Sequence, residues 1–305
     1  VSDAPAALEV VEFTDPVCPW AWGSEPTLRR LRELLPPGVR WRRVFGILFD
    51  VDDDPPPDPA AETAWYHGQL AEIAGHTGAP YPRVLERVAL TSWPPSLVAK
   101  AAEAQGPAMA EHVLRRLREQ TFLVGIPPDT TDRALAAVRG VPGLDLVRLA
   151  RDAATPTVAR AVARDRAETR APVAEVRLIE ASGPHSGQAK PVDGGHRYAL
   201  PTVLLRGPGG QVVVPGWRTL SEYLDAADRV VPRCVARDLP LSDVDSALRR
   251  YRSLTEPDLR TLTGSSRPPR DGVVVATAAG PIWLHPDEAA THPATRIPPA
   301  ERPAE

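Results

Sequence analysis

Cys18-Pro19-Trp20-Ala21 has the spacing of a Cys-x-x-Cys thiol pair whose second cysteine is alanine. In a complete pair, the first thiolate attacks a disulfide and the second releases the mixed disulfide by intramolecular attack. With Ala21 in place the second step is lost, and Cys18 is left as a nucleophile, a thiol-capture site or a packed inert residue. A helical pattern follows directly. A thiol at that junction meets unpaired N–H groups and the positive end of the helix dipole, which lower its pKa as long as it is exposed. Pro19 suits the first helical turn, and Trp20 and Trp22 offer apolar surface beside the sulfur. The only other cysteine, Cys234, is remote in sequence, so neither a disulfide framework nor a spacing rule for a resolving thiol emerges.

Other chemistry is sparse. His185 and His196 flank a loop, Ser186 to Gly195, where one of them could tune the thiolate or bind an acidic ligand. His67 and His76 share a helix with Trp65 and Tyr66, and Trp217 follows a Pro-Gly pair. No Cys/His cluster has metal-ligand spacing, and neither a dinucleotide fingerprint nor a Walker-type lysine motif occurs. The acidic, proline-rich stretch Asp50 to Pro59 lacks the EF-hand glycine and terminal glutamate, so it is expected to be an exposed loop.

The elements that must position Cys18 read as a strand at Leu8–Phe13, a turn at Thr14-Asp15-Pro16, and a helix at 20–35 stopped by Pro36-Pro37-Gly38. A second strand is expected over Val39–Phe49. Helical segments then follow at 62–75, 95–105, 108–124, 131–139 and, with breaks, 143–170, punctuated by prolines. Strands return at 203–205 and 212–214 around Gly207-Pro208-Gly209-Gly210, a hairpin signal, and a helix is expected at 220–230. Helices at 241–251 and 256–262 and a hairpin at 273–284 form a further unit, and the stretch from His292 onward is expected to be a poorly ordered tail.

Within 305 residues, 43% hydrophobic and 25% charged content fits a globular protein. A net charge of −3 gives no general attraction for nucleic acid or anionic membranes. No apolar run approaches the roughly 20 residues that span a bilayer, and the first ten residues lack a signal-peptide pattern. With the two distant cysteines, this leads to an expected cytoplasmic location, with neither nucleic acid nor membrane as partner.

Three stretches, EFTDPVCPWAWGSEPTLRRL, TSWPPSLVAKAAEAQG and RYALPTVLLRGPGGQVVVPGW, together resemble the DsbA-like branch of the thioredoxin superfamily, especially FrnE-type actinobacterial proteins. The resemblance covers about residues 8 to 232. It implies an α/β, thioredoxin-like fold with an inserted helical domain and a small C-terminal extension. The divisions are 1–61 and 176–232 for the two thioredoxin-like parts, 62–175 for the insertion and 233–305 for the extension and tail. Pro201 matches the family's cis-proline, which would face the active cysteine and leave neighbouring backbone groups free for a substrate strand. The implied site is Cys18 as catalytic residue, with Pro19, Trp20, Trp22, Leu200, Pro201 and Thr202 contacting substrate and no metal.

The implied function is a monothiol oxidoreductase in which Cys18 forms a mixed disulfide resolved by mycothiol or glutathione, with no tightly bound cofactor and a small-molecule or protein thiol as substrate. Two alternatives share the fold. DsbA-like adaptors that deliver regulators to a protease need no dithiol turnover, and their motif helix is framed similarly to Asp15-Pro16 and Glu25-Pro26. Kappa-class glutathione transferases and related isomerases carry serine at the nucleophile position, against Cys18.

Overall fold

Glu9–Thr14 (β1) is buried along its whole length, so its alternating side chains feed two cores at once. The computed structural model describes residues 8–50, 56–180 and 183–296. After β1 come α1 (Pro19–Leu34), β2 (Arg40–Phe45), α2 (Pro59–Thr77), α3 (Trp93–Ala102), α4 (Pro107–Glu119), α5 (Thr131–Val138), α6 (Leu146–Ala153), α7 (Pro156–Thr169) and α8 (Ala174–Arg177). The chain continues through β3 (Lys190–Val192), β4 (Gly195–Arg197), β5 (Thr202–Gly207), β6 (Gly210–Pro215) and α9 (Leu220–Val230). It ends with α10 (Val244–Tyr251), β7 (Ser253–Thr255), α11 (Glu256–Thr263), β8 (Val273–Thr277), β9 (Gly280–Leu284) and α12 (Pro286–Ala289).

The main sheet has the order β2-β1-β5-β6, with β2 parallel to β1 and the β5–β6 hairpin antiparallel. Val10, Val203 and Leu205 pack on one face with Leu28 and Leu31 of α1 and Tyr223 and Ala227 of α9. Val11, Phe13, Val44 and Leu204 pack on the other with Cys18, Ala21, Tyr198 and Leu200. Helices α3 to α6 bury their own cluster around Val98, Val113, Leu117 and Leu149, joined to the sheet through Phe45. This is a mixed α/β, thioredoxin-like arrangement with an additional helical region.

Local chemistry explains the helix ends. Asp58 caps α2 by accepting from the N–H groups of Ala60 and Ala61, and Gly78 at φ 69° closes it. Thr219 and Glu222 form a capping box at α9. Cys18 is the N-cap of α1 in extended geometry with Pro19 as first helical residue.

Several expectations need correction. The second strand stops at Phe45 instead of Phe49, because Gly46 lies against Leu200 and Ile47 adopts φ 49°, turning the chain so that the Leu48 N–H reaches Asp15. Residues 190–195 of the expected loop form, with His196 and Arg197, the β3–β4 hairpin. Asp50 is buried rather than exposed, accepting from Trp93 Nε1 at 3.0 Å, Arg166 Nε at 2.6 Å and Arg170 Nη2 at 3.1 Å; residues 51–55 of that stretch lie outside the described residues.

The tail expectation fails at its start. His292 is fully buried, its Nε2 2.8 Å from Glu119 Oε2, and the 3-10 turn Pro293–Arg296 follows; residues 297–305 lie outside the described residues. The C-terminal unit, a sheet of order β7-β9-β8 with α10 and α11, packs on α1. Buried charges stitch this junction together: Asp258 holds Arg29 at 3.0 Å and Arg115 at 3.1 Å, and Arg115 also meets Glu119 at 2.7 Å and Glu25 at 3.3 Å. The periodicity of 292–296 carries no apolar signal, so a buried polar anchor was invisible to it.

Candidate functional site

Cys18 lines a cavity of about 380 Å³ between the start of α1, the turn after β2, α2 and the segment 184–200. Pro19, Trp20, Leu48, Phe49, Trp65, Tyr66, Val88 and Leu200 provide its apolar wall, and Glu62, Gln69, His185, Lys190 and Arg197 its polar groups. A larger hollow of about 580 Å³ beside β2 and α4 is lined by no cysteine, serine, threonine or lysine. Its arginines are committed to carboxylates, Arg32 and Arg43 to Glu111 and Arg29 to Asp258.

The sulfur is directed at the chain before Pro201. Cys18 Sγ donates to the Leu200 carbonyl at 3.4 Å, and His185 Nε2 lies 2.9 Å from the same oxygen. The Leu200-Pro201 peptide is cis. His185 is clamped from both sides: its ring stacks on Trp20 at 4.7 Å and 12°, and its carbonyl accepts from Arg218 Nη1 at 3.2 Å. Gly216, at φ 79°, lets the strand end approach so closely that a Cβ there would lie 2.4 Å from the His185 carbonyl.

The expected activation of the thiol is reversed. Cys18 is 3% exposed, and burial pushes its thiol up to about 11. The Ala21 N–H at the helix start and Arg197 pull it down, while the Asp15 carboxylate pushes it up further. Dehydration of the sulfur therefore outweighs the helix terminus. Asp15 itself is wholly buried, and burial raises its carboxyl to about 6 against the N–H groups of Val17 and Leu48, which its two oxygens accept at 2.9 and 2.8 Å. His185 is lowered to about 4, first by burial and then by the charges of Lys190, Arg218 and Arg197, against the pull of the Leu200 carbonyl. It is neutral at ordinary pH.

The structure brings Cys18, Pro19, Trp20 and Leu200 together, with the cis-bonded Pro201 directly after the Leu200 carbonyl that Cys18 meets, but not Trp22 and Thr202. Trp22 points away, donating to the Pro80 carbonyl at 2.8 Å and stacking on Phe122, with Arg115 over its ring. Thr202 is fully buried and donates to the Ala199 carbonyl at 2.7 Å. The Pro201 carbonyl accepts from the Gly216 N–H at 2.9 Å, so the backbone acceptors beside the cis bond are already engaged instead of waiting for a substrate strand. His67 is tied to the Pro82 carbonyl at 2.8 Å, His196 is exposed on β4, and His76 and Trp217 touch the site only through Trp20. Cys234 packs with the α1–α9 core, on the opposite sheet face from Cys18, and both thiols are free.

Sequence reasoning missed Asp15, Tyr66, Glu62, Lys190 and Arg197. Asp15 reads in sequence as part of a turn, but a carboxylate three residues before a cysteine is also a signal of an electrostatic neighbour to the thiol. Tyr66 brings a buried hydroxyl without a hydrogen-bond partner. Among the described residues no group of His, Cys, Asp and Glu could hold a metal ion, and no helix is long and apolar enough to cross a membrane.

Comparison with known proteins agrees with this geometry at the level of fold. Over 173 residues the chain is 29% identical to the ClpXP adapter protein SpxH of Halalkalibacterium halodurans, covering 53% of this chain and 54% of that one. It is also 29% identical over 161 residues to SpxH of Shouchella clausii, covering 52% of each. The chain thus spans about half the length of the curated relatives it matches. A Nitrosomonas europaea protein assigned as a disulfide isomerase superimposes with a TM-score of 0.54 at 13% identity, covering 72% of this chain and 96% of that one. The Thioredoxin family profile matches residues 12–171, just over half of the sequence, and the chain belongs to that family.

Proposed function

We propose that this protein is a DsbA-like thiol oxidoreductase of the FrnE type that works through Cys18 alone. The observation that carries the reading is the placement of Cys18 at the N-cap of α1, inside a cavity, with its sulfur against the residue preceding the cis-proline. In the first step the Cys18 thiol loses its proton to solvent and the thiolate attacks a disulfide R–S–S–R′. A Cys18–S–S–R bond forms and R′–S⁻ leaves, taking up a proton. Ala21 offers no internal thiol, so mycothiol or glutathione, as its thiolate, attacks the R sulfur. The mixed product disulfide departs and Cys18 regains its thiolate, with one disulfide consumed and one formed.

The buried, weakly acidic thiol specifically favours a second reading, a protein-binding adaptor on the same scaffold, the role named for the SpxH relatives. A kappa-class transferase or isomerase reading has only the shared fold behind it. Intact-mass analysis after exposure to cell extract should find a small thiol on Cys18. The Ala21→Cys variant, which adds the missing resolving thiol, should gain disulfide reductase activity. An unmodified Cys18, an inactive Ala21→Cys protein and full biological function in Cys18→Ser would together reject the oxidoreductase and leave the adaptor.

A further inference from the structure

We propose that His185 is the hydrogen-bond donor for the Cys18 thiolate, its Nε2–H moving from the Leu200 carbonyl to a position shared with the sulfur when the thiol proton leaves. This rests on the thiol reading above and adds to it the group that steadies the reactive atom.

One oxygen holds both partners. Cys18 Sγ lies 3.4 Å and His185 Nε2 2.9 Å from the Leu200 carbonyl oxygen, which only accepts, so the sulfur carries its hydrogen and Nε2 carries that of the ring. Loss of the thiol proton to solvent breaks the first of these bonds and sets a negative sulfur against the negative end of the carbonyl dipole. A sulfur only 3% exposed draws little help from water. The backbone N–H groups of Trp20 and Ala21 favour the thiolate from the helix start, and Nε2–H is the side-chain donor already brought to the oxygen that the sulfur faces. Sharing it with the thiolate makes a charge-assisted bond while the carbonyl keeps part of the old one.

The imidazole is held for this move. Its ring stacks at 4.7 Å and 12° on Trp20, two residues beyond the cysteine, and a swing within the ring plane re-aims Nε2–H without breaking the stack. Arg218 donates to the carbonyls of His185 at 3.2 Å and Ser186 at 2.5 Å, and Gly187 and Gly216 let this loop and the end of β6 close on each other where a Cβ would clash. The loop is therefore fixed by its backbone and the ring is left to act. It is no base toward the thiol, because Nε2 already carries a proton, and burial with the charges of Lys190, Arg218 and Arg197 holds the ring neutral at ordinary pH. Asp15, Glu62 and Tyr66 face the same space, and His76 lies against Trp20. All of these are the same in every protein compared below.

His185→Phe keeps a ring for Trp20 and removes the donor, whereas His185→Gln returns an N–H at the reach of Nε2. Labelling of the Cys18 peptide by iodoacetamide is followed by mass spectrometry from about pH 7 to 10, each rate divided by that of Cys234 in the same protein. Loss of the donor should raise the thiol by about one pH unit, which, after the gain in nucleophilicity, slows Cys18 roughly threefold throughout this range. His185→Gln should recover most of the rate. A histidine that only packs gives the opposite sign, since a loosened loop exposes the sulfur and speeds labelling. An unchanged or faster His185→Phe protein, or a His185→Gln protein as slow as His185→Phe, overturns the proposal. NMR of the imidazole nitrogens tests it in the native side chain: Nε2 should be protonated at neutral pH, and its signal should move as Cys18 ionises toward about pH 11 but not in Cys18→Ser. A signal indifferent to Cys18 also overturns the proposal. Either failure beside a small thiol found on Cys18 leaves the thiol reading intact, and a wild-type Cys18 that is never labelled overturns both.

Discussion

Alkylation of Cys18 by iodoacetamide should climb about tenfold per pH unit and level off only near pH 11. Dehydration of the sulfur moves the thiol from its ordinary 9.0 to about 11. At pH 7 about one protein in ten thousand then carries the thiolate, against about one in a hundred for an unperturbed thiol. The more basic thiolate is intrinsically the better nucleophile; with a Brønsted coefficient of about 0.4–0.5, two pH units regain roughly eightfold. The net expectation is a rate about tenfold below that of a free thiol at neutral pH, the reverse of the activated cysteine anticipated from its helix-terminal position. The assay is the second-order labelling rate of the Cys18 peptide across the pH range, read separately from that of Cys234. A plateau below about pH 8, or a neutral rate above that of free cysteine, would show that the helix terminus and Arg197 prevail over burial, and would refute the argument.

Asp15→Asn should shift the Cys18 alkylation profile to lower pH, since the Asp15 charge opposes thiolate formation. The stability difference between wild type and this variant should also depend on pH. With its folded value raised from 3.8 to about 6, Asp15 contributes stability below the lower value that is lost as pH rises through the upper one, roughly 3 kcal/mol in all; chemical denaturation of both proteins at several pH values checks this, and a flat difference rejects it. Gly216→Ala should destabilise by about 2–4 kcal/mol and displace His185, because the added carbon meets the His185 carbonyl at 2.4 Å in a positive-φ conformation; an unchanged denaturation midpoint contradicts it. Asp258→Ala takes one carboxylate from Arg29 and Arg115, which keep Glu25 and Glu119, and should cost about 1–3 kcal/mol for the buried donors left unpaired. Because those arginines hold the Asp258 carboxyl below its usual range, wild type should lose this contribution only as pH falls below about 4, while the variant lacks it throughout.

Much of the scaffold was legible from pattern alone. The β5–β6 hairpin announced itself through Gly207-Pro208-Gly209-Gly210, and its turn is Pro208-Gly209. Helix α9 runs from Leu220 to Val230 as the periodicity indicated. Prolines at 94, 107 and 156 mark helix starts, where their missing N–H carries no cost. What sequence could not supply was depth. Cys18 and Ala21 look like exposed motif residues, yet both sit in the core formed by Val11, Phe13 and Leu204. The same holds for Asp50 and His292, polar residues buried by partners more than forty positions away in the chain. Polar wall residues such as Lys190 and Arg197 become meaningful only once the β3–β4 register sets them side by side.

The charged junction between α1, α4 and the C-terminal unit bears on how the chain is made. Glu25, Arg29, Arg115 and Glu119 leave the ribosome well before Asp258, Ser253 and His292, which complete their hydrogen bonds. Before residues 253–292 are synthesised, Arg29 and Arg115 have only Glu25 and Glu119 as partners and lack the hydrogen bonds that Asp258 and Ser253 supply, so water must stand in for those partners at the face of α1 and α4. The C-terminal unit thus completes, late in synthesis, a polar junction whose other half is already in place.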